Sequence, residues 1–361
     1  MQVASLTLQD FRSIELLNLS FDSPINIILG ENNAGKTTFL EAIYFCSNLK
    51  SFKSVPSSEL IHTESNSFKI SLNFINKQLN SNIFIEKTLK SSKVLYNNKR
   101  TTKQDLMLAF PCYSLVFGFN NILLNDSSYR REFLDSGMFH VEPNSYKSLQ
   151  SYDRCLKQRN FLLRAKRYDE IPLWDQKLIE CNNQLSESRR QYFDKLNTEF
   201  QQIITDIQSL TPEIYSDVST LKLRFEKGWD SDNFESELKS CNDKDRSIGY
   251  TTRGTHRCDF VVVSNGRPVK ESGSMSTLVL ACLIMNLARI NVFHVKHGFK
   301  PILLIDDLFF GIDNKNLSTV VKLLIHSQGN IVLTAPNIYR DILEKISQEN
   351  GDIELKELGK T

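Results

Sequence analysis

Along the front of the chain, apolar stretches come in strand-sized runs. Val3 to Leu8, Ile14 to Phe21 and Ile25 to Leu29 read as three strands, and Phe68 to Phe74 with Asn82 to Leu89 as an antiparallel pair. Val94-Leu95-Tyr96 followed by Asn97-Asn98 marks a further hairpin, because asparagine tolerates the left-handed backbone such turns need. From about Tyr146 the period becomes helical. Leu149, Tyr152, Leu156 and Leu163 share one face; after a break at Ile171-Pro172 a second stripe runs Trp174, Leu178, Cys181, Leu185, then Leu196, Phe200 and Ile207, stopping at Thr211-Pro212. If continuous from Leu173 to Leu210, that helix is roughly 55 Å long. Strand signals return at Leu221 to Phe225 and Phe260 to Val263, the latter closing on an Asn265-Gly266 turn. Leu278 to Ala288 is apolar on nearly every face and predicts a buried helix, and Ile302 to Asp307 reads as a buried parallel strand.

Two of these elements carry chemistry. Gly30 to Thr38, GENNAGKTT, fits Gly-x-x-x-x-Gly-Lys-[Ser/Thr], with a strand before it and an apolar-periodic helix, Phe39 to Phe45, after it. Backbone N–H groups of Gly30, Glu31, Asn32, Asn33, Ala34 and Gly35 with the helix N-terminus suit phosphates, Lys36 reaches the β/γ oxygens, the Thr37 hydroxyl ligates Mg²⁺, and Thr38 supports the loop. The apolar strand ending in Asp306-Asp307 supplies the complementary half. Asp306 would hold Mg²⁺, and Asp307 would orient the attacking water. A longer Glu is usual at the second position, so an Asp implies slow hydrolysis, since general-base positioning contributes roughly 10²–10⁴-fold.

About 270 residues separate the two halves, far more than a compact nucleotide hydrolase needs. The sequence therefore predicts an α/β fold in which residues 1–125 and 246–361 build one ATPase lobe and 126–245 form an inserted, mostly helical second lobe. Ser274-Met275-Ser276-Thr277 opens the buried helix, a place where nucleotide-gated dimers of the ATP-binding-cassette type put a Ser-rich signature. An ordinary helix cap is the competing reading of Ser274.

Composition changes the picture little. A formal charge of +2 on 361 residues does not by itself demand a nucleic-acid partner. The N-terminus lacks a basic-then-apolar leader, and the run Leu278 to Met285 falls short of a membrane span, so a cytoplasmic protein without membrane attachment is expected. Seven scattered cysteines read as reduced packing residues. His294 and His297 approach metal-ligand spacing but have no supporting cluster.

The ordered set of motifs resembles the bacterial RecF recombination mediator family, relatives of the ATPase heads of structural-maintenance and double-strand-break-repair proteins. The resemblance covers essentially the whole chain and rests on Asp10-Phe11-Arg12, GENNAGKTTFLEAIY, Ser51-Phe52-Lys53, RREFLDSGMFHVEP (Arg130 to Pro143), Leu156-Lys157-Gln158-Arg159-Asn160, Gly249-x-Thr251-x-x-Gly254-x-His256-Arg257 and DDLFFGID ending at Asp313. It implies an ABC-type (P-loop) ATPase head lobe with a mostly helical second lobe, an ATP-dependent homodimer on DNA, action at gaps or damaged forks, RecR- and RecO-type partners that help load recombinase, and weak DNA-stimulated hydrolysis. It adds Asn120 as a metal-loop residue and Asp313 as a nucleotide contact across the dimer.

Departures from the family pattern bear on hydrolysis more than binding. Ser276 and Thr277 stand where Gly and Gln are usual, Asn120 where a longer Gln or Glu is usual, Thr255 for a proline and Cys258 for an aspartate, and Phe310-Gly311 replace small polar and acidic residues. For DNA, whether duplex or single-strand/duplex junctions, the candidates are Arg130, Arg154, Lys157, Arg159, Arg164, Lys166 and Arg167, with Arg131, Arg12, Lys50 and Lys53 beside them. Arg131 has an internal ion pair as its alternative, and aromatic residues of this lobe are expected to fill its core. Two other classes compete. One is an ATP-binding DNA clamp or scaffold that has largely lost hydrolysis. The other is the ATPase half of a defence nuclease, disfavoured because only 54 residues follow Asp307, against about 100 for a further domain.

Overall fold

The computed structural model describes every residue except 54, 117–121, 211, 213–215, 217, 310–311, 313 and 359–361. Two compact units emerge: residues 1–121, 203–219 and 274–361 form the first, and 122–202 with 220–273 the second.

The first unit holds two sheets. Strands β1 (Gln2–Phe11), β2 (Ile14–Ser20), β4 (Ser67–Asn76), β5 (Leu79–Thr88), β6 (Ser92–Tyr96) and β7 (Lys99–Arg100) make an antiparallel sheet in the order β2-β1-β4-β5-β6-β7. Asn97 and Asn98 both take positive φ, 47° and 63°, as the hairpin reading of that pair requires. The other sheet is wholly parallel: β14 (Ile353–Glu357), β3 (Ile25–Gly30), β13 (Asn330–Pro336), β12 (Ile302–Asp306) and β8 (Cys112–Val116), in that order. The helix Lys36–Asn48 belongs to one apolar core with both. Its Phe45 ring meets Phe68 of β4 edge-on at 5.6 Å, and Ile28, Leu304 and Val332 of the parallel sheet join the same cluster. That burial fixes the helix whose N-terminus must face phosphate.

The helix Met275–His297 is long and apolar enough to cross a membrane by composition, but 83% of its apolar window is buried inside the protein. It is a core helix, as its all-round apolar pattern predicts.

The second unit is built on helices Ser127–Val141, Ser145–Arg164 and Ile171–Leu210, the last leaving the unit after Gln202, with a small sheet of β9 (Leu221–Glu226), β10 (Asp259–Ser264) and β11 (Arg267–Pro268). The stretch 246–273 differs from the sequence-based boundary. It packs in this unit rather than with the C-terminal part of the ATPase lobe, because β10 pairs antiparallel with β9 along its length. Strand pairing across a long chain separation is invisible to local periodicity. All seven cysteines are free thiols, five of them buried.

Candidate functional site

The phosphate loop joins β3 to its helix through two left-handed residues, Asn33 at φ 71° and Gly35 at φ 84°. A Cβ on Gly30 would sit 3.2 Å from Ala34 Cβ and 3.3 Å from the Leu358 carbonyl, so the loop closes tightly only because that position is bare. Gly35 caps the helix without any side-chain bond, and the first turn holds no acidic residue. The first turn thus carries no carboxylate of its own to occupy its N-terminal amides, which suits an anion. Lys36 is 7% exposed and its Nζ donates to the Gly30 and Glu31 carbonyls at 2.8 and 2.7 Å. Thr38 is buried.

The acidic strand lies one strand away from β3, and the intervening β13 ties the two halves together. Thr37 Oγ1 donates to Asp306 Oδ2 at 2.8 Å, and Thr334 Oγ1 donates to Asp306 Oδ1 at 2.7 Å. The same Thr334 oxygen accepts the Asp307 N–H at 3.1 Å. Thr334 is fully buried and orients both aspartates at once. Sequence reasoning missed it. Its only signal is a hydroxyl in the apolar run Ile331-Val332-Leu333, which reads as ordinary strand filler.

The electrostatics follow from this crowding. Lost solvation pulls the Lys36 ammonium below its ordinary value, opposed by the charges of Asp307 and Asp306. Lost solvation pushes the Asp307 carboxyl up, Asp306 adds to that, and Lys36 counters it. Asp307 also holds a left-handed backbone, φ 53°, just past the end of β12. A hydroxyl and a carboxylate already in contact suit Mg²⁺ that takes most of its ligands from nucleotide and water. When bound there, Mg²⁺ supplies charge neutralisation for phosphate oxygens. Asn120, expected at the metal, and Asp313, expected across the dimer, lie outside the described residues, as do Phe310 and Gly311.

Behind the loop the Asp10-Phe11-Arg12 and Ser51-Phe52-Lys53 motifs meet. Arg12 Nη2 donates to Glu41 Oε1 of the phosphate-loop helix at 2.9 Å, Ser51 Oγ donates to the same carboxylate, and the Lys53 N–H donates to Ser51 Oγ at 2.8 Å. Arg12 therefore braces the helix from behind.

Ser274 is the N-cap of Met275–His297. Its Oγ accepts the Thr277 N–H at 3.1 Å and shares a 2.9 Å hydrogen bond with the Thr277 hydroxyl. The cap reading of Ser274 is thus realised in the isolated chain, while the helix start itself is exposed. Ser276 Oγ is buried with no hydrogen-bond partner among the described residues, a cost of about 1–3 kcal/mol.

In the second unit the motif residues bind one another. Arg159 is fully buried: Nε pairs with Asp175 at 2.6 Å, and Nη1 with Asp245 at 2.7 Å and Thr251 Oγ1 at 2.8 Å. Asn160 Oδ1 accepts both the N–H and the hydroxyl of Thr251. Arg189 grips Asp135 through two nitrogens and donates to the Thr255 carbonyl at 2.6 Å and Cys258 Sγ at 3.1 Å. Arg130 pairs with Asp259 at 2.6 and 2.9 Å, and Arg131 donates to the Cys258 carbonyl. Two DNA candidates are corrected by this. Arg159 has no exposed surface with which to meet a phosphate, and Arg130 is committed to an internal ion pair. Arg154, Lys157, Arg164, Lys166 and Arg167 remain exposed, the last paired with Glu170.

His256 sits inside this network, with Nε2 donating to the Thr251 carbonyl at 3.1 Å and Nδ1 accepting from Tyr152 Oη at 2.7 Å. Burial, reinforced by Arg257 and Arg131, lowers its pKa to about 4. The unfolded imidazole takes a proton below about pH 6.5, whereas the folded one does not until about pH 4. Its contribution is therefore complete above pH 6.5 and lost as pH falls towards 4, reaching about 3 kcal/mol. Asp153 and Asp307, whose carboxyls are raised mainly by burial, act in the opposite sense, so a difference measurement isolates the imidazole. Denaturant melts of the protein and of His256→Gln at pH 7 and 5 are expected to show a shallower loss of stability in the variant. Equal losses would refute the assignment.

The chain matches the model of the RecF/RecN/SMC N-terminal domain over residues 2–348. It is 30% identical over 340 residues to the DNA replication and repair protein RecF of Mannheimia succiniciproducens, covering 93% of this chain and 92% of that protein. It is likewise 30% identical over 355 residues to the RecF protein of Actinobacillus succinogenes, covering 97% and 96%. Among solved structures it is similar to the recombination mediator protein RecF with ATP in the RecFOR pathway, at a TM-score of 0.78 and 21% identity over 93% of this chain and 92% of that one. A Smc head domain derived from Pyrococcus furiosus aligns at a TM-score of 0.56 and 15% identity over 96% and 91%. At these identities the structural likeness speaks to the fold, that of an ABC-type ATPase head.

Proposed function

We propose, from the premise that the chain belongs to the RecF family of the RecF/RecN/SMC N-terminal group, that it is an ATP- and Mg²⁺-dependent DNA-binding protein of replication and repair whose nucleotide state gates its hold on DNA. The observation that supports this most is the junction of Thr37 with Asp306 and of both aspartates with Thr334. It joins the phosphate loop to the acidic strand across about 270 residues of chain.

In this reading Lys36 and the helix N-terminus hold the β/γ phosphates, Thr37 and Asp306 hold the metal, and Asp307 orients water. A head-to-head second copy would bring its Ser274 helix start to the γ-phosphate, with Asp313 contributing at that junction and Asn120 at the metal. Exposed Arg154, Lys157, Arg164, Lys166 and Arg167 would meet DNA phosphates. The relatives' names place them in DNA replication and repair, and the similar mediator structure in the RecFOR pathway. By extension, RecR- and RecO-type proteins are the partners, the compartment is the cytoplasm, and recombinase loading at gaps is the task.

Hydrolysis is expected to be slow, because Asp307 is short and Ser276 puts a side chain where phosphate should approach closely. Ser276→Gly removes that side chain and its unpartnered hydroxyl, and should raise steady-state turnover roughly tenfold, about 1.4 kcal/mol of barrier. Unchanged turnover would leave the second reading, a clamp with hydrolysis largely lost, which the Ser274–Thr277 hydroxyl pairing favours. The gating itself is tested by anisotropy of labelled duplex and gapped DNA with ATP–Mg²⁺, with ADP and without nucleotide. Affinity that does not respond to nucleotide would overturn it.

A further inference from the structure

In the parallel sheet β13 lies between β3, which ends at Gly30 of the phosphate loop, and β12, which ends at Asp306. Its register sets Leu333 beside Ile305 of β12 and Thr334 beside Ile28 of β3. Residues two apart share a sheet face, so Val332 and Thr334 form one row. Val332 joins the apolar core with Ile28 and Leu304, whereas Thr334, equally buried, ends that row in a hydroxyl. Valine has the same branched shape and the same preference for strands, so packing gives no reason for an oxygen at this position.

The neighbours of that oxygen fix the direction of its hydrogen bonds. A backbone N–H only donates, so Thr334 Oγ1 accepts from Asp307 at 3.1 Å and gives its one proton to Asp306 Oδ1 at 2.7 Å. Asp306 is thereby held at both ends, Oδ1 by Thr334 and Oδ2 by Thr37 of the phosphate loop at 2.8 Å. Turning Oδ1 towards a cation would cost the charge-assisted bond to Thr334, so Oδ2, beside the Thr37 hydroxyl, is the oxygen left for a metal. Asp307 is left-handed at φ 53°, a conformation that persists only where the surroundings hold it, and Thr334 holds its N–H. We infer that Thr334 is a positioning residue for hydrolysis: it reserves a single oxygen of Asp306 for the metal and fixes the backbone from which Asp307 projects. Neither task touches the phosphates, which fall to the loop amides and Lys36. This role rests on the ATPase reading above and deepens it, because metal use and turnover depend on a residue of β13 that nucleotide affinity without metal does not need.

Thr334→Val removes the oxygen at nearly constant volume, and Thr334→Ser restores it. Titration calorimetry of ATP is run on the full-length proteins with chelator and with Mg²⁺, beside steady-state turnover, and melting curves establish that each variant is folded. With chelator, Thr334→Val should bind ATP within about twofold of the wild type; with Mg²⁺ it should bind about tenfold more weakly. At saturating ATP–Mg²⁺ its kcat should fall about ten- to hundredfold, the range for losing a group that orients a metal ligand. Thr334→Ser should recover most of both losses. Melting temperature alone does not discriminate, since any loss of the hydroxyl leaves two buried polar groups without it. If Thr334→Val does not fold, Thr334→Cys, whose thiol is a weak donor and acceptor, should show the same metal-dependent loss to a smaller degree. ATP affinity weakened equally with chelator and with Mg²⁺, a kcat equal to that of the wild type, or no recovery in Thr334→Ser overturns the role while ATP binding stands. A wild-type protein without turnover removes hydrolysis from the reading above, and the two calorimetric affinities then decide the role of Thr334 by themselves. A wild-type protein that binds no ATP under either condition removes both.

Discussion

Lys36→Ala is expected to weaken ATP binding by at least about a hundredfold, and to remove with it any nucleotide dependence of DNA binding. The ammonium is largely withdrawn from water, and among the described residues only the Gly30 and Glu31 carbonyls accept from it, at 2.8 and 2.7 Å. Carbonyls solvate a cation without cancelling its charge. Asp306 and Asp307 stabilise the charged form, yet the balance still falls on the side of lost solvation. A nucleotide's β/γ oxygens would replace neutral acceptors by charged ones, and hydrogen bonds to charged groups contribute about 1.5–3 kcal/mol each. Two such bonds convert to two or more decades in affinity. Arginine is not expected to rescue, because a planar fork of donors does not reproduce the compact point charge of the ammonium. Titration calorimetry of ATP with wild-type and variant proteins measures this directly, and melting curves without nucleotide show whether the variant still folds. A folded variant that binds ATP within threefold of wild type would mean that the loop holds phosphate by its amides and helix dipole alone.

Much of the first unit was legible because its signals are local. Strand, loop and helix around Gly30 to Thr38 follow one another in the order the chemistry needs, and Asn97-Asn98 specifies its own turn. Asp306-Asp307 is legible for the same reason. Thr334 was not, since its role comes from lying between two strands distant in sequence. In the second unit the long helix was read to within two residues of its start, Leu173 against Ile171. The boundary near residue 246 was misplaced because β9–β10 pairing is non-local. Cations were the least legible group. Arg154 and Arg159 carry the same charge in the same helix, five residues apart, but five residues are 500° of helical turn, so the two point to different faces. Sequence chemistry counts both as phosphate ligands. Only the presence of Asp175, Asp245 and Thr251 around one of them separates them.

That separation gives the second large effect: Arg159→Ala is expected to destabilise the helical unit by about 3–5 kcal/mol while leaving the salt dependence of DNA binding unchanged. Arg159 and Asp245 both have fully buried side chains, and Asp175 is only one-quarter exposed. Removing the cation strands two carboxylates, one of them wholly cut off from water, and leaves a cavity. The consequence extends beyond the pair. Asp245 Oδ1 also holds the N–H and hydroxyl of Thr252, and Arg159 also holds Thr251, so the Gly249 to Arg257 segment loses one hydrogen bond at Thr251 and the cation that positions the carboxylate holding Thr252. Arg159→Lys should recover little, since one ammonium cannot serve the Asp175, Asp245 and Thr251 directions together. Arg159→Met combined with Asp245→Asn should be less destabilised than the sum of the two single changes, because the double variant removes the one unpaired charge that would be wholly cut off from water. A phosphate contact predicts the reverse pattern: wild-type melting, weaker DNA binding and a salt slope reduced by about one. Chemical denaturation together with a salt titration of duplex binding distinguishes the two, and a wild-type melting curve for Arg159→Ala would return Arg159 to the DNA surface.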